Sequence, residues 1–151
     1  MTKALRMQNT EQTVHFGELI GGNLKGGECI ELTSDVGGGK TTFVRGLAKG
    51  AGSHDHVSSP TFTISKVYKT PHFEIVHFDF YRLQETGLIE HEIDEAVNDD
   101  TTVIVVEWSD IIQHVLPDNR LRIEIVASGD NSREVELIYP DSLAYLVEDV
   151  A

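Results

Sequence analysis

Ser34-Asp35-Val36-Gly37-Gly38-Gly39-Lys40-Thr41-Thr42 is the stretch that decides the fold. It reads as a phosphate-binding loop set between an apolar strand and an amphipathic helix. Cys29-Ile30-Glu31-Leu32-Thr33 upstream is strand-like, and Phe43, Val44, Leu47, Ala48 and Ala51 downstream recur at helical spacing. Glycines let the backbone of Asp35, Val36, Gly37, Gly38 and Gly39 bend until successive N–H groups point at phosphate oxygens, and the helix opening at Lys40, Thr41 and Thr42 adds its positive end. Lys40 is placed to reach terminal phosphates and Thr41 a magnesium ion. The stretch implies a protein that handles ATP.

The loop departs from the usual pattern at one place: the glycine expected six residues before the lysine is Ser34. That position often adopts a conformation glycine reaches most easily, so a weakened grip on nucleotide is an expectation attached to Ser34.

With 151 residues, 40% of them hydrophobic, the chain supports one ordinary core. A single domain over 1–151 is expected, with its core at about 8–139 and a C-terminal tail at 140–151. No apolar run approaches the roughly 20 residues that span a bilayer, and the stretch around Lys3 and Arg6 lacks the apolar block of a secretory signal. A soluble cytoplasmic protein with no membrane partner is the expectation. Cys29 is the only cysteine, which excludes an internal disulfide and places a reduced thiol in the core beside the loop.

Acidic residues outnumber basic ones by 25 to 12, a net charge of −13. Between Arg82 and Arg120 there is neither Lys nor Arg, while the interval carries ten carboxylates from Glu85 to Asp118. Such a field repels a phosphate backbone, which argues against tight nucleic-acid binding by this chain alone. It either solvates a face or meets a basic protein partner.

The expected fold class is α/β, a mixed sheet of the P-loop NTPase kind with helices packed on it. A helix over Glu11–Leu24 carries Phe16, Leu19, Ile20 and Leu24 on one stripe, with Asn9 or Thr10 as its cap. The helix after the loop is expected to stop at Gly50 and Gly52. Phe62–Tyr68 with Phe73–Tyr81, and Leu121–Val126 with Glu134–Tyr139, read as antiparallel hairpins in the middle and at the C-terminal end. Leu88, Ile89, Ile93, Ala96 and Val97 give a helix over Thr86–Val97. Thr101–Val106 is β-branched almost throughout, as a strand buried on both faces requires, and a short helix fits Asp110–Val115.

Phosphoryl transfer asks a protein to hold phosphates, fix a metal ion and orient the attacking group. Val103-Ile104-Val105-Val106-Glu107 has the form of a buried strand ending in an acid that binds magnesium directly or through water. Glu107 is therefore the leading metal candidate, against an ordinary strand-end acid. In His77-Phe78-Asp79-Phe80-Tyr81, alternation puts His77, Asp79 and Tyr81 on one face. Asp79 then positions water or a magnesium-bound water and Arg82 neutralises developing charge, against a solvent-facing side of an edge strand. His77 with Asp79 also has the spacing of a metal pair, with no third ligand evident. Thr61, in Ser59-Pro60-Thr61, lies where phosphate-sensing switch segments occur. Trp108 either stacks on a base, meets a partner or fills the core. Arg45 and Lys49 read as a solvated helix face.

Together, Gly37-Gly38-Gly39-Lys40-Thr41-Thr42-Phe43-Val44-Arg45-Gly46-Leu47, Ser59-Pro60-Thr61-Phe62-Thr63, His77-Phe78-Asp79-Phe80-Tyr81-Arg82-Leu83 and Val106-Glu107-Trp108 resemble the TsaE family, formerly YjeE, in order and spacing over about residues 8–139. These are bacterial P-loop ATPases required for threonylcarbamoyladenosine modification of tRNA. The resemblance implies ATP or ADP and Mg2+ at the loop and a complex with TsaB and TsaD. In that complex TsaD transfers the threonylcarbamoyl group, and ATP hydrolysis by this subunit resets the assembly between turnovers. The tRNA is then met only indirectly, which suits the acidic surface. The resemblance implies Lys40 on phosphates, Thr41 and Glu107 on magnesium, Thr61 in the first switch, Asp79 in the second and Trp108 on the nucleotide side. Lys40, Asp79, Glu107 and Thr61 are thus the candidate catalytic residues. Ser34, Gly38 in place of Ala, and Leu88–Val97 depart from the family pattern, the last bearing on partner contacts.

Two other classes stay open. A nucleotide switch that hydrolyses little would use every residue named above. A small P-loop kinase would bring extra arginines on a lid, whereas this chain has only six. A GTPase reading lacks its Asn-Lys-x-Asp guanine motif.

Overall fold

Two apolar runs make the centre of the sheet. β2 (Cys29–Ser34) and β5 (Thr102–Glu107) lie side by side in parallel, Ile30 opposite Val105 and Leu32 opposite Glu107. Every residue of β5 is buried, as a strand covered on both faces must be. The computed structural model describes residues 1–34, 39–57, 65–80, 87–107 and 113–150, with backbone alone at 87–89. Among these, β1 (Thr2–Met7), β3 (Ser65–Lys69), β4 (Glu74–Asp79), β6 (Leu121–Ala127) and β7 (Arg133–Ile138) complete one mixed sheet in the order β1-β7-β6-β2-β5-β4-β3.

The four central strands β6, β2, β5 and β4 are parallel, while β3 with β4 and β6 with β7 form the two expected antiparallel hairpins. β1 has no counterpart among the sequence expectations. It extends the sheet by pairing Leu5 with Val135 and Arg6 with Glu134, partners at the far end of the chain. Its strand character therefore comes from an edge offered elsewhere, which local propensity does not register.

α1 (Thr10–Asn23) starts where the Asn9 side chain accepts the Gln12 N–H at 2.8 Å, an N-cap bond. With α2 (Lys40–Gly50) it covers one face of the sheet, over Ile30, Leu32, Val103, Val105, Ile123 and Ile125. On the other face, Ile93 of α3 (Gly87–Val97) packs with Cys29, Phe78, Phe80, Ile104 and Val106. Of the expected helix at Asp110–Val115, residues 113–115 are in 3-10 conformation and 110–112 lie outside the described residues.

α1 and α2 touch through backbone. A Cβ on Gly21 would sit 2.1 Å from the Leu47 carbonyl oxygen, and one on Gly46 2.1 Å from that of Val14. Only glycine allows so close a crossing. Gly50, the last residue of α2, belongs to the same contact, with a Cβ there 2.1 Å from the Glu18 carbonyl oxygen. The helix stops as expected at Gly50, and Gly52 seals the end: at φ +93°, its N–H bonds the Lys49 carbonyl and the Ser53 N–H that of Ala48.

The segment after β7, whose place the sequence leaves open, packs into the core. A 3-10 helix over Asp141–Leu146 lies against α1, and Leu143, Leu146, Val147 and Val150 are buried. The Tyr145 hydroxyl donates to Glu28 Oε2 at 2.5 Å, Glu28 also accepts the Lys25 and Gly26 N–H groups, and Lys3 Nζ donates to the Val150 carbonyl. Among the described residues no helix is long and apolar enough to cross a membrane.

Candidate nucleotide site

The site is built where β2 gives way to α2. Ser34 is the last residue of β2, paired with Ile125 of β6, an extended position at which glycine has no advantage over serine. The conformational penalty expected of Ser34 therefore does not arise in this backbone. Gly39 takes the left-handed conformation, φ +102°, and Lys40 opens the helix. With glycine at the cap position no side chain competes for the first-turn N–H groups, the arrangement of anion-binding helix ends. Thr41 and Thr42 are half-buried in that first turn.

Lys40 turns inward. Its Nζ lies 3.7 Å from Glu107 Oε1, at the end of β5, and the residues are only 8% and 2% exposed. Glu107 Oε2 meets His77 Nε2 at 2.5 Å. His77 is fully buried on β4, on the α1–α2 side of the sheet with Ile75, its ring beside that of Tyr68. β4 is an interior strand between β5 and β3, so the alternative of a solvent-facing edge is overturned for His77. Asp79 ends β4 directly opposite Glu107 in the parallel register and is half-buried, and the Phe80 N–H donates to the Glu107 carbonyl at 3.2 Å.

The expected residues thus converge in part. Gly39, Lys40, Thr41, Thr42, Asp79 and Glu107 gather at the C-terminal ends of the parallel strands, where α/β sheets place their ligands. Asp35, Val36, Gly37, Gly38, Ser59, Pro60, Thr61, Tyr81, Arg82 and Trp108 lie outside the described residues. A His77–Asp79 metal pair is not what the geometry makes of His77, whose Nε2 is taken by Glu107. Among the described residues no three His, Cys, Asp or Glu side chains are grouped to hold a metal. What the described donors offer a cation is the Thr41 hydroxyl and the Glu107 carboxylate, hard oxygens of the kind Mg2+ prefers.

The sequence reading missed the partner of His77 and the whole of Arg133. His77 was visible only through its alternation with Asp79, and nothing local announces that its partner is thirty positions away. Arg133, at the start of β7, brings its side chain to the loop: a Cβ on Gly39 would lie 3.4 Å from its Nε. Its guanidinium is tethered to the Ser132 carbonyl at 2.8 Å. No motif marks it, because β7 reaches the loop only through the order of the sheet.

Comparison with known proteins agrees with this architecture. Residues 7–135 match the family model described as "Threonylcarbamoyl adenosine biosynthesis protein TsaE". The chain is 38% identical to the tRNA threonylcarbamoyladenosine biosynthesis protein TsaE of Bacillus subtilis, over 86% of this chain and 81% of that protein. It is 40% identical to the protein of the same name from Streptomyces coelicolor, over 80% and 83% respectively. The crystal structure of Bacillus subtilis YdiB superposes with a TM-score of 0.76 at 32% identity, covering 99% of this chain and 93% of that one. With its central parallel strands, its glycine-capped α2 and these relatives over most of its length, the chain belongs to the TsaE family.

Proposed function

We propose that this chain is the ATP-binding and ATP-hydrolysing subunit of the machinery that makes threonylcarbamoyladenosine on tRNA, dependent on Mg2+ and working in a complex with TsaB and TsaD. The buried Lys40–Glu107 pair carries the reading. A lysine at the head of a glycine-led helix and an acid at the end of the neighbouring parallel strand are the two charges that phosphates and a metal ion need, at a spacing that lets one nucleotide engage both. Lys40 and the first-turn N–H groups of α2 bind the phosphates; Thr41 and Glu107 hold magnesium. Bound there, Mg2+ neutralises the charge that develops on the transferred phosphoryl group. Asp79, opposite Glu107, orients the attacking water, and Thr61 belongs to a segment that senses the terminal phosphate. A chain of net charge −13 leaves contact with tRNA to its partners.

The test is magnesium-dependent ATP hydrolysis by the purified chain, alone and with TsaB and TsaD, using Lys40→Ala as the blank. Weak turnover that rises with the partners is the expected result. Tight binding without hydrolysis in either condition would make the chain a nucleotide switch instead. Lys40→Ala should lose roughly 2–4 kcal/mol of nucleotide affinity or transition-state stabilisation; unchanged binding and turnover would remove the phosphate-loop reading.

A further inference from the structure

The Glu107 carboxylate is divided between two partners of different permanence. Oε1 faces Lys40 Nζ at 3.7 Å, and Oε2 accepts from His77 Nε2 at 2.5 Å. Lys40 stands on a flexible stem that, under the function proposed above, must turn toward phosphate oxygens when nucleotide arrives. His77 has no such freedom. It is 0% exposed, lies beside Tyr68 at 6.3 Å between ring centroids, and sits on a strand whose register with β5 is fixed, His77 opposite Val105 and Asp79 opposite Glu107.

We propose that His77 is a positioning residue for Glu107: it holds Oε2 so that Oε1 stays aimed at the magnesium position once Lys40 leaves for the phosphates. The inference rests on the nucleotide reading of the site. A long carboxylate side chain that loses the cation facing it can fold back or rotate, and either motion would misplace the metal ligand. A second lysine could pin it, but would repel the incoming cation. An imidazole N–H binds the same oxygen by a charge-assisted hydrogen bond while leaving the carboxylate's negative charge for the metal. A donor beneath a metal-binding carboxylate contributes orientation, and its loss weakens metal binding rather than nucleotide binding.

His77→Leu removes the donor and keeps an apolar side chain of similar bulk, whereas His77→Gln returns an amide nitrogen near the Nε2 position. ATP binding would be followed by fluorescence across a Mg2+ titration, with thermal unfolding of each variant as the structural control. The expected result for His77→Leu is magnesium-free ATP binding within about twofold of the original chain and an apparent Mg2+ affinity weakened by about 10–100-fold, with His77→Gln restored to within about threefold. A His77→Leu variant with an unaltered Mg2+ response overturns the inference, as does an equal loss in both variants. Should His77→Leu fail to fold, nitrogen-15 NMR of the original chain decides. A protonated, hydrogen-bonded His77 Nε2 that persists when Mg2+ and ADP are added supports the inference, and its disappearance overturns it. If the original chain shows no magnesium-dependent ATP binding at all, the nucleotide reading itself fails and takes this inference with it.

Discussion

Lys40 opens α2, Glu107 closes β5, and the two are ion-paired across 3.7 Å in an almost wholly buried setting. A buried pair broken on one side leaves the other charge uncompensated in a low-dielectric environment, and the penalty is larger than the attraction that was lost. The pair is therefore a structural element as well as a candidate catalytic one, and probes of its chemistry have to keep its shape.

Glu107→Ala and Glu107→Gln should separate the two roles. Alanine leaves Lys40 and His77 facing a cavity, and a loss of about 3–5 kcal/mol in a denaturant titration is expected. Glutamine keeps the volume and can still pair with His77, but it too strips Lys40 of its counter-charge, so it should cost less than alanine yet still about 3 kcal/mol, while magnesium-dependent ATP hydrolysis falls by roughly 100-fold or more. A glutamine variant that hydrolyses ATP normally would remove Glu107 from the metal site.

Much of this architecture was legible in the chain because the signals were local. The helix opening after the glycines, the β-branched run at Thr101–Val106 and the two hairpins each carry their pattern within a dozen residues. What could not be read depends on partners far along the chain. β1 is a strand because β7 offers an edge, His77 matters because β5 places Glu107 against it, and Gly50 also packs closely against Glu18 of α1. The same holds for the tail, whose apolar residues have no helical or strand period and find their place only against α1.

The backbone contact between α1 and α2 makes a sharp prediction about glycines of one helix. Gly21→Ala would drive a methyl to 2.1 Å from the Leu47 carbonyl, forcing α2 and the loop it carries to shift. A destabilisation of about 3 kcal/mol or more is expected, with nucleotide binding weakened as well. At the adjacent Gly22 such a methyl would lie 3.8 Å from the Gly50 carbonyl oxygen, an ordinary contact. Gly22→Ala should leave stability unchanged or raise it by up to about 1 kcal/mol through helix propensity. Thermal unfolding of the two variants side by side tests the packing, and similar melting temperatures would contradict it.

Cys29 predicts an alkaline limit to stability. Burial raises its thiol from 9.0 to about 12, partly offset by the charge of Arg120. Between those pH values the unfolded chain has released the thiol proton and the folded chain retains it, so stability falls as pH rises, by up to about 1.4 kcal/mol per unit from this group. Cys29→Ala should be somewhat less stable at pH 7, yet lose less on going from pH 9 to pH 11. Urea titrations at the three pH values give the comparison, and parallel pH profiles for the two proteins would exclude the thiol as the cause.

The tail offers the plainest test of where the domain ends. Leu143, Leu146, Val147 and Val150 are each no more than 3% exposed, and Tyr145 ties the segment to Glu28 at the base of β2. Burying such side chains contributes about 1.5–3 kcal/mol apiece against an extended reference, less once residual burial in the unfolded chain is allowed for. Ending the chain after Pro140 should therefore cost several kcal/mol and expose the apolar surface that these side chains cover, promoting aggregation. Tyr145→Phe keeps the ring and removes only the bond to Glu28, which retains the Lys25 and Gly26 N–H groups, so a loss near 1 kcal/mol is expected. A truncated chain that melts with the full-length one would return the domain boundary to Tyr139.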